Sequence, residues 1–200
     1  IGKGNSAKTL QIDLPRFTLI AATTKVSLLS APFRSRFGVS FRLDFYSDEE
    51  IKQIIARSSK LLGLILEPEA IDVIARSARF TPRVANRLLK RVRDYAQVHE
   101  SPAITGDVAR QALAMLEVDQ RGLEEADRKI LLAIAEKFDG GPVGLKSIAA
   151  ALGEEESTIE DVYEPYLMRI GFLARTSKGR IITKSGLKHL GLDSDKTFEF

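Results

Sequence analysis

Arg34 and Arg36 stand in the hexapeptide FRSRFG, between two apolar stretches, FTLIAATT and VSFRLDFY, with no acidic residue beside them. A guanidinium keeps its proton at any physiological pH, and its planar fork suits carboxylate or phosphate. Either these arginines are solvated surface, or another molecule supplies their anion. Arg83 raises the same question. It falls at about the second position of a helix opened by Thr81-Pro82 in FTPRVANRLLKRVRDYAQ. A cation in a first turn opposes the helix dipole by ~0.3–1 kcal/mol. The side chain can curl into water, or an anion can sit between helix terminus and guanidinium and reverse the sign. A third basic group, Arg175, Lys178 and Arg180 with Lys184 following, flanks a Ser-Lys-Gly turn in FLARTSKGRIIT. A two-residue hairpin there would bring Arg175 and Arg180 to one end of a ribbon, able to meet a phosphate backbone without reading bases. Its alternative is an ordinary solvated hairpin. Thr23 and Thr24 end the run FTLIAA, at the carboxyl end of an expected central strand, where open α/β sheets place ligand contacts.

Other chemistry is less well served. Gly2 to Thr9, GKGNSAKT, falls one residue short of the phosphate-loop pattern G-x-x-x-x-G-K-S/T and also satisfies G-x-G-x-x-A. Both patterns need a strand before and a helix after, and here the strand-like TLQIDL and Pro15 follow. His99 and His189 have no second ligand at metal spacing, so no metal site is expected. Met115 and Met168 suit a core, and Glu154 to Glu156 a solvated helix entry.

The elements that would position these residues follow from pattern. The 200 residues are 44% hydrophobic and 28% charged with a net charge of +3, a composition able to bury a core. Basic patches, not the overall charge, would have to bind nucleic acid. Cysteine is absent, which removes disulfides and thiolate metal sites and favours the cytosol. No apolar run approaches ~18 residues, and IGKGNSAK lacks the core of a secretory leader, so neither membrane span nor export is expected. Ser47 and Glu50 predict a capping box ahead of Ile51, Ile54 and Ile55. Further helices are expected over about 68–78, from Thr81, and over 104–116, making a small all-α domain. VDQRGLEEADR resembles a linker. Beyond it, helices in DRKILLAIAEKF and LKSIAAAL, a third opened by a Ser157–Glu160 capping box, and a terminal hairpin give the layout of a winged helix. Its expected recognition helix carries Glu160, Asp161 and Glu164 and is interrupted by Pro165. An acidic face is repelled by phosphate, so base reading by this helix is not expected.

A strand ending in Thr-Thr, an arginine pair before the next strand, and an arginine opening a helix of an all-α domain occur in the order seen in AAA+ ATPases. The resemblance is closer still to the RuvB family, through FTLIAATT, SAPFRSRFGVSFRLDFY, FTPRVANRLLKRVRDYA, GGPVGL, EDVYEPYL and GFLARTSKGRIIT. It covers about residues 1–192. The implied fold is mixed α/β, then mostly α. Residues 1–46 would be the end of the large ATPase domain, 47–117 the helical lid, 118–192 a winged-helix head, and 193–200 a tail. The implied activity is ATP-driven translocation of duplex DNA at Holliday junctions in recombination and repair, by a cytoplasmic homo-hexamer with RuvA, and RuvC in the resolving complex. The alternative is an AAA+ replication initiator or clamp-loader-like ATPase with a winged-helix DNA-binding domain. A regulator built on the winged helix alone would call for a basic recognition helix.

By the same resemblance, Thr24 takes the sensor 1 place near the nucleotide γ-phosphate. Arg36 takes the arginine-finger place in a neighbouring subunit's ATP site, with Arg34 as lesser candidate. Tyr46 contacts the adenine side, Arg83 is sensor 2, and Arg175 and Arg180 contact DNA. ATP or ADP and Mg²⁺ are the implied cofactors. No complete phosphate-loop or Mg²⁺-holding motif occurs in these residues, so the chain alone is expected not to hydrolyse ATP and to be the carboxyl-terminal part of the enzyme.

Overall fold

A computed structural model describes residues 14–192. The phosphate-loop look-alike at 2–9, most of TLQIDL and the tail at 193–200 lie outside them. The described residues divide into one compact unit ending at Leu43 and another beginning at Asp44.

In the first unit a short 3₁₀ turn, Val26–Leu28, precedes helix α1, Ala31–Arg34, which has Pro32 in its first turn. The strands expected in FTLIAATT and VSFRLDFY are not formed among the described residues. A strand exists only through its ladder, and no described segment pairs with either stretch. Their apolar side chains are correspondingly open, Ile20 at 88% and Leu43 at 90% exposure.

The second unit holds two hydrophobic cores. Around the first pack α2 (Asp48–Leu61), α3 (Pro68–Arg76), α4 (Pro82–Val98) and α5 (Gly106–Met115). Ser47 opens α2 with the expected capping box: the Glu50 N–H donates to Ser47 Oγ at 3.3 Å, and the Ser47 N–H to Glu50 Oε2 at 2.8 Å. Pro68 and Pro82 occupy first turns, where a missing N–H costs nothing. Thr81 precedes α4 without capping it; its hydroxyl donates back to the Ala78 carbonyl at 3.4 Å. Thr105 caps α5, accepting from the Val108 N–H at 3.2 Å. Ile51, Ile55, Ile74, Leu88, Leu89 and Val92, at helical spacing, fill this core.

The second core lies between α6 (Glu125–Leu132, continued by a π turn at Ala133–Lys137), α7 (Leu145–Leu152) and a broken third helix. That helix is α8 (Glu156–Thr158), a π turn at Ile159–Tyr163, and α9 (Glu164–Arg169). Pro165 explains the break: it lacks an N–H and crowds the carbonyl four residues back, and a widened turn absorbs the misfit. The Ser157–Glu160 capping box is not formed, because the helix opens earlier, with Glu155 at its N-cap, and Ser157 lies inside it. Strands β1 (Leu173–Thr176) and β2 (Gly179–Ile182) form the antiparallel hairpin, and α10 (Lys184–His189) closes the unit. GGPVG feeds this hairpin. Val143 exchanges backbone bonds with Arg180 at 2.9 and 2.8 Å, and Gly141, at φ +97°, leaves no room for a Cβ against the Arg180 carbonyl.

VDQRGLEEADR is packed, not a loose tether. Asp119 Oδ1 accepts from the Arg121 and Leu123 N–H groups at 2.8 and 2.9 Å, and the Leu123 side chain is buried. No helix among the described residues is long and apolar enough to cross a membrane.

Candidate nucleotide and nucleic-acid interface

Arg34 and Arg36 are carried by the tight turn that ends α1. The Arg36 N–H donates to the Phe33 carbonyl at 3.3 Å, and the Phe33 and Phe37 rings meet edge to face at 5.3 Å. This pins the backbone on both sides of Arg36. Both guanidinium groups are exposed and have no ion-pair or hydrogen-bond partner among the described residues. In the same unit, Thr23 Oγ1 accepts from the Lys25 N–H at 3.0 Å, so its hydroxyl braces the turn, and Thr24 is exposed beside it.

In the second unit Arg83 occupies the second position of α4, exposed and likewise without a partner among the described residues. The first turn of α4 contains no acidic residue. Its unbonded N–H groups and the guanidinium therefore present positive potential to the same side of the helix end, which suits an anion. Tyr46 is tied to the segment leading into that helix: its N–H donates to the Phe80 carbonyl at 3.2 Å. The two residues expected near a nucleotide from the second unit are thus held by one short strap, Ser77 to Thr81.

The hairpin brings Arg175 and Arg180 together as cross-strand partners, and Thr176 pairs with Gly179 across a two-residue turn. Sequence reasoning missed what lies between them. Glu164, 2% exposed, accepts from Arg180 Nε at 2.9 Å, from Arg180 Nη2 at 3.1 Å and from Arg175 Nη2 at 2.9 Å. Arg175 Nη2 also reaches Glu160 Oε1 at 2.8 Å. Burial alone would raise the Glu164 pKa. Hydrogen bonds from Arg180 and then Arg175 outweigh it and hold the carboxyl below its ordinary range. Arg175 remains 45% exposed and Arg180 only 14%. Two of the acidic residues on the expected recognition helix therefore face the wing arginines.

His189 Nε2 lies 2.7 Å from Asp119 Oδ2, and His99 stacks on Tyr95 at 4.0 Å. No group of three or more His, Asp or Glu among the described residues could hold a metal ion.

Residues 1–43 match the Holliday junction DNA helicase RuvB P-loop domain, 46–119 the RuvB AAA lid domain, and 120–191 the RuvB C-terminal winged helix domain. Over 192 residues the chain is 56% identical to the Holliday junction branch migration complex subunit RuvB of two strains of Chloroflexus aurantiacus, covering 96% of this chain and 55% of each relative. It thus spans about half the length of the curated relatives it matches. Among solved structures, a lysine-to-arginine mutant of Thermotoga maritima RuvB superposes with a TM-score of 0.83 at 48% identity, over 92% of this chain and 62% of that one. The Thermotoga maritima RuvB Holliday junction branch migration motor gives 0.78 at 48% identity, over 84% and 56%. With matches on both sides of the Leu43–Asp44 division and an AAA+ lid joined to a winged helix, the chain belongs to the RuvB family.

Proposed function

We propose that this chain supplies the finger, the sensors and the DNA-holding head of an ATP-driven motor that moves duplex DNA at Holliday junctions in recombination and repair. The observation that carries the reading is the contrast among its arginines. Arg79 and Arg180, both shielded from solvent, meet carboxylates, whereas Arg36 and Arg83 are exposed and have no anion among the described residues. A nucleotide's phosphates are the anion that this arrangement lacks.

In this reading Arg36 enters the ATP site of the next protomer of a homo-hexamer and stabilises charge that develops as the γ-phosphoryl group departs. Thr24 places a hydroxyl near that group, Tyr46 lies along the adenine side, and Arg83 reaches the phosphates from the lid. ATP with Mg²⁺ supplies the driving reaction. Arg36, Thr24 and Arg83 fit the anionic face of the nucleotide, and the described residues include no group of three His, Asp or Glu that could hold the metal, so turnover is proposed for the full-length protein. The three domains are taken as 1–46, 47–117 and 118–192, close to the limits of the three family matches.

DNA is held through the wing. Arg175 and Lys178 offer exposed charge, while Arg180 holds Glu164 and adds its charge behind them. Phosphate contact of this kind carries no sequence preference, as movement along DNA requires. The proposed setting is the cytoplasm, with RuvA at the junction and RuvC in the resolving complex. The replication-loader alternative, which would also carry a winged helix, is disfavoured because all three domain matches are to RuvB.

The test is ATP-driven movement of a synthetic four-way DNA junction by the full-length protein. Arg36→Ala is expected to abolish movement and lower ATP turnover by about 10³-fold while ATP binding persists. A full-length protein that moves no junction, or an Arg36→Ala variant that moves it normally, would refute the reading.

A further inference from the structure

Arg79 and Phe80 are consecutive non-glycine residues with positive φ, +52° and +57°. Such backbone conformations are strained for a residue with a side chain and persist only where the surroundings hold them. They form the middle of the Ser77–Thr81 strap, whose far end is Pro82-Arg83 and whose Phe80 carbonyl accepts from Tyr46.

The groups gripping their side chains come largely from the head. Arg79 Nε donates to the Gly122 carbonyl at 2.6 Å, and its Nη2 pairs with the Asp127 carboxylate. Its guanidinium lies 4.8 Å above the Tyr166 ring. Phe80 meets Tyr166 at 6.4 Å and carries the Arg169 guanidinium 4.9 Å from its ring centre. Arg169 also lies 4.3 Å from the ring of Phe45, next to Tyr46. Asp127 is wholly buried, and its Oδ2 also accepts from the Glu124 N–H at 2.8 Å, which fixes it to the start of α6. Gly122, at φ +72°, has no space for a Cβ against the Ser77 carbonyl. The residues that shape the strap thus belong to α6, α9 and the segment before α6. Arg169 is the last residue of α9, whose first residue, Glu164, anchors the hairpin.

We propose that Arg79, through Asp127, is a positioning residue that couples the head's grip on duplex DNA to the placement of Arg83 and Tyr46 at the nucleotide. The effect on turnover rests on the reading of Arg83 and Tyr46 given above; the coupling between head and strap does not. A shift of the head on DNA moves α6 and α9 together. The strap cannot relax independently, because its left-handed residues are held by those elements. A simple hinge between lid and head would leave the strap unresponsive to DNA.

The experiment uses the full-length protein with duplex DNA. Amide hydrogen exchange over residues 77–84 is expected to slow by about fivefold or more when duplex binds the wild type, and not to change in Asp127→Asn. Stimulation of ATP turnover by duplex should fall about tenfold in Asp127→Asn and recover in part in Asp127→Glu, with duplex affinity within about twofold of wild type. If Asp127→Asn does not fold, Arg79→Lys, which keeps the charge and loses the fork, is expected to show the same two losses. Strap exchange that responds to DNA equally in wild type and folded variant overturns the coupling. Failure of the nucleotide reading has a different signature: Arg83→Ala would leave ATP affinity and turnover unchanged, while the exchange response still reports the coupling.

Discussion

Arg180 holds both carboxylate oxygens of Glu164, Nε at 2.9 Å and Nη2 at 3.1 Å, and so fastens the hairpin to the helix behind it. The carboxylate is buried and Arg180 nearly so, which makes removal of one partner costly. Glu164→Gln is expected to destabilise the protein by about 3 kcal/mol or more in denaturant unfolding, since Arg180 would keep a shielded charge with only Glu160, 3.7 Å away, to oppose it. Glu160→Gln, at the exposed edge of the same cluster, should cost less than about 1 kcal/mol. Equal effects would mean that burial does not set the strength of this cluster.

The same clamp gives stability a pH dependence of definite sign. Glu164 titrates below the ordinary glutamate range in the folded chain, because bonds from Arg180 and Arg175 outweigh the opposing effect of burial. The unfolded chain therefore binds the proton first as pH falls. The stabilisation is complete above the unfolded glutamate pKa and is lost as pH drops through the lowered folded value. Glu50, Asp94 and Glu125 are lowered too, so the informative quantity is the stability difference between wild type and Glu164→Gln. That difference should shrink on acidification below the glutamate range; a constant difference would contradict the assignment.

Duplex affinity across a salt series separates contact from support in the wing. Arg175→Ala with Lys178→Ala is expected to flatten the log-log salt slope by about two, for every sequence alike. Arg180→Ala is a poorer probe, because it also strips Glu164 of its main partner and should lower stability. An unchanged slope in the double variant would make the hairpin a structural element only.

Helix caps offer a contrast between two positions that look alike in sequence. Ser47→Ala removes half of a formed capping box and should cost about 1 kcal/mol. Thr81→Ala removes a hydroxyl that only meets the Ala78 carbonyl at 3.4 Å, and should cost about 0.5 kcal/mol or less. Thermal unfolding of the two variants checks the order.

Much of the fold was legible because its signals are local. The Ser47–Glu50 box, the prolines opening α3 and α4, and the pairing of Arg175 with Arg180 each depend on residues a few positions apart. The expected strands in FTLIAATT and VSFRLDFY failed for the complementary reason, since an apolar β-branched run becomes a strand only beside a partner. The third helix of the head was misplaced at its start, with Glu155 rather than its expected serine at the N-cap. Arg36 and Arg83, exposed and without a partner among the described residues, were legible, Arg36 from the absence of acids beside it and Arg83 from its place in the first turn of a helix. The burial of Glu164 and Asp127 was not, because their arginine partners lie 11 to 48 residues away.

The central claim is that Arg36 works on a nucleotide held by another protomer, and mixed assemblies test it most directly. Full-length Arg36→Ala is to be mixed with a full-length variant whose own phosphate loop is disabled, and ATP turnover measured across mixing ratios. Neither variant alone should turn over ATP. Mixtures should regain turnover, because a site with an intact phosphate loop can then receive Arg36 from its neighbour. No recovery at any ratio, together with loss of ATP binding by Arg36→Ala alone, would contradict the account and place Arg36 in the site of its own chain.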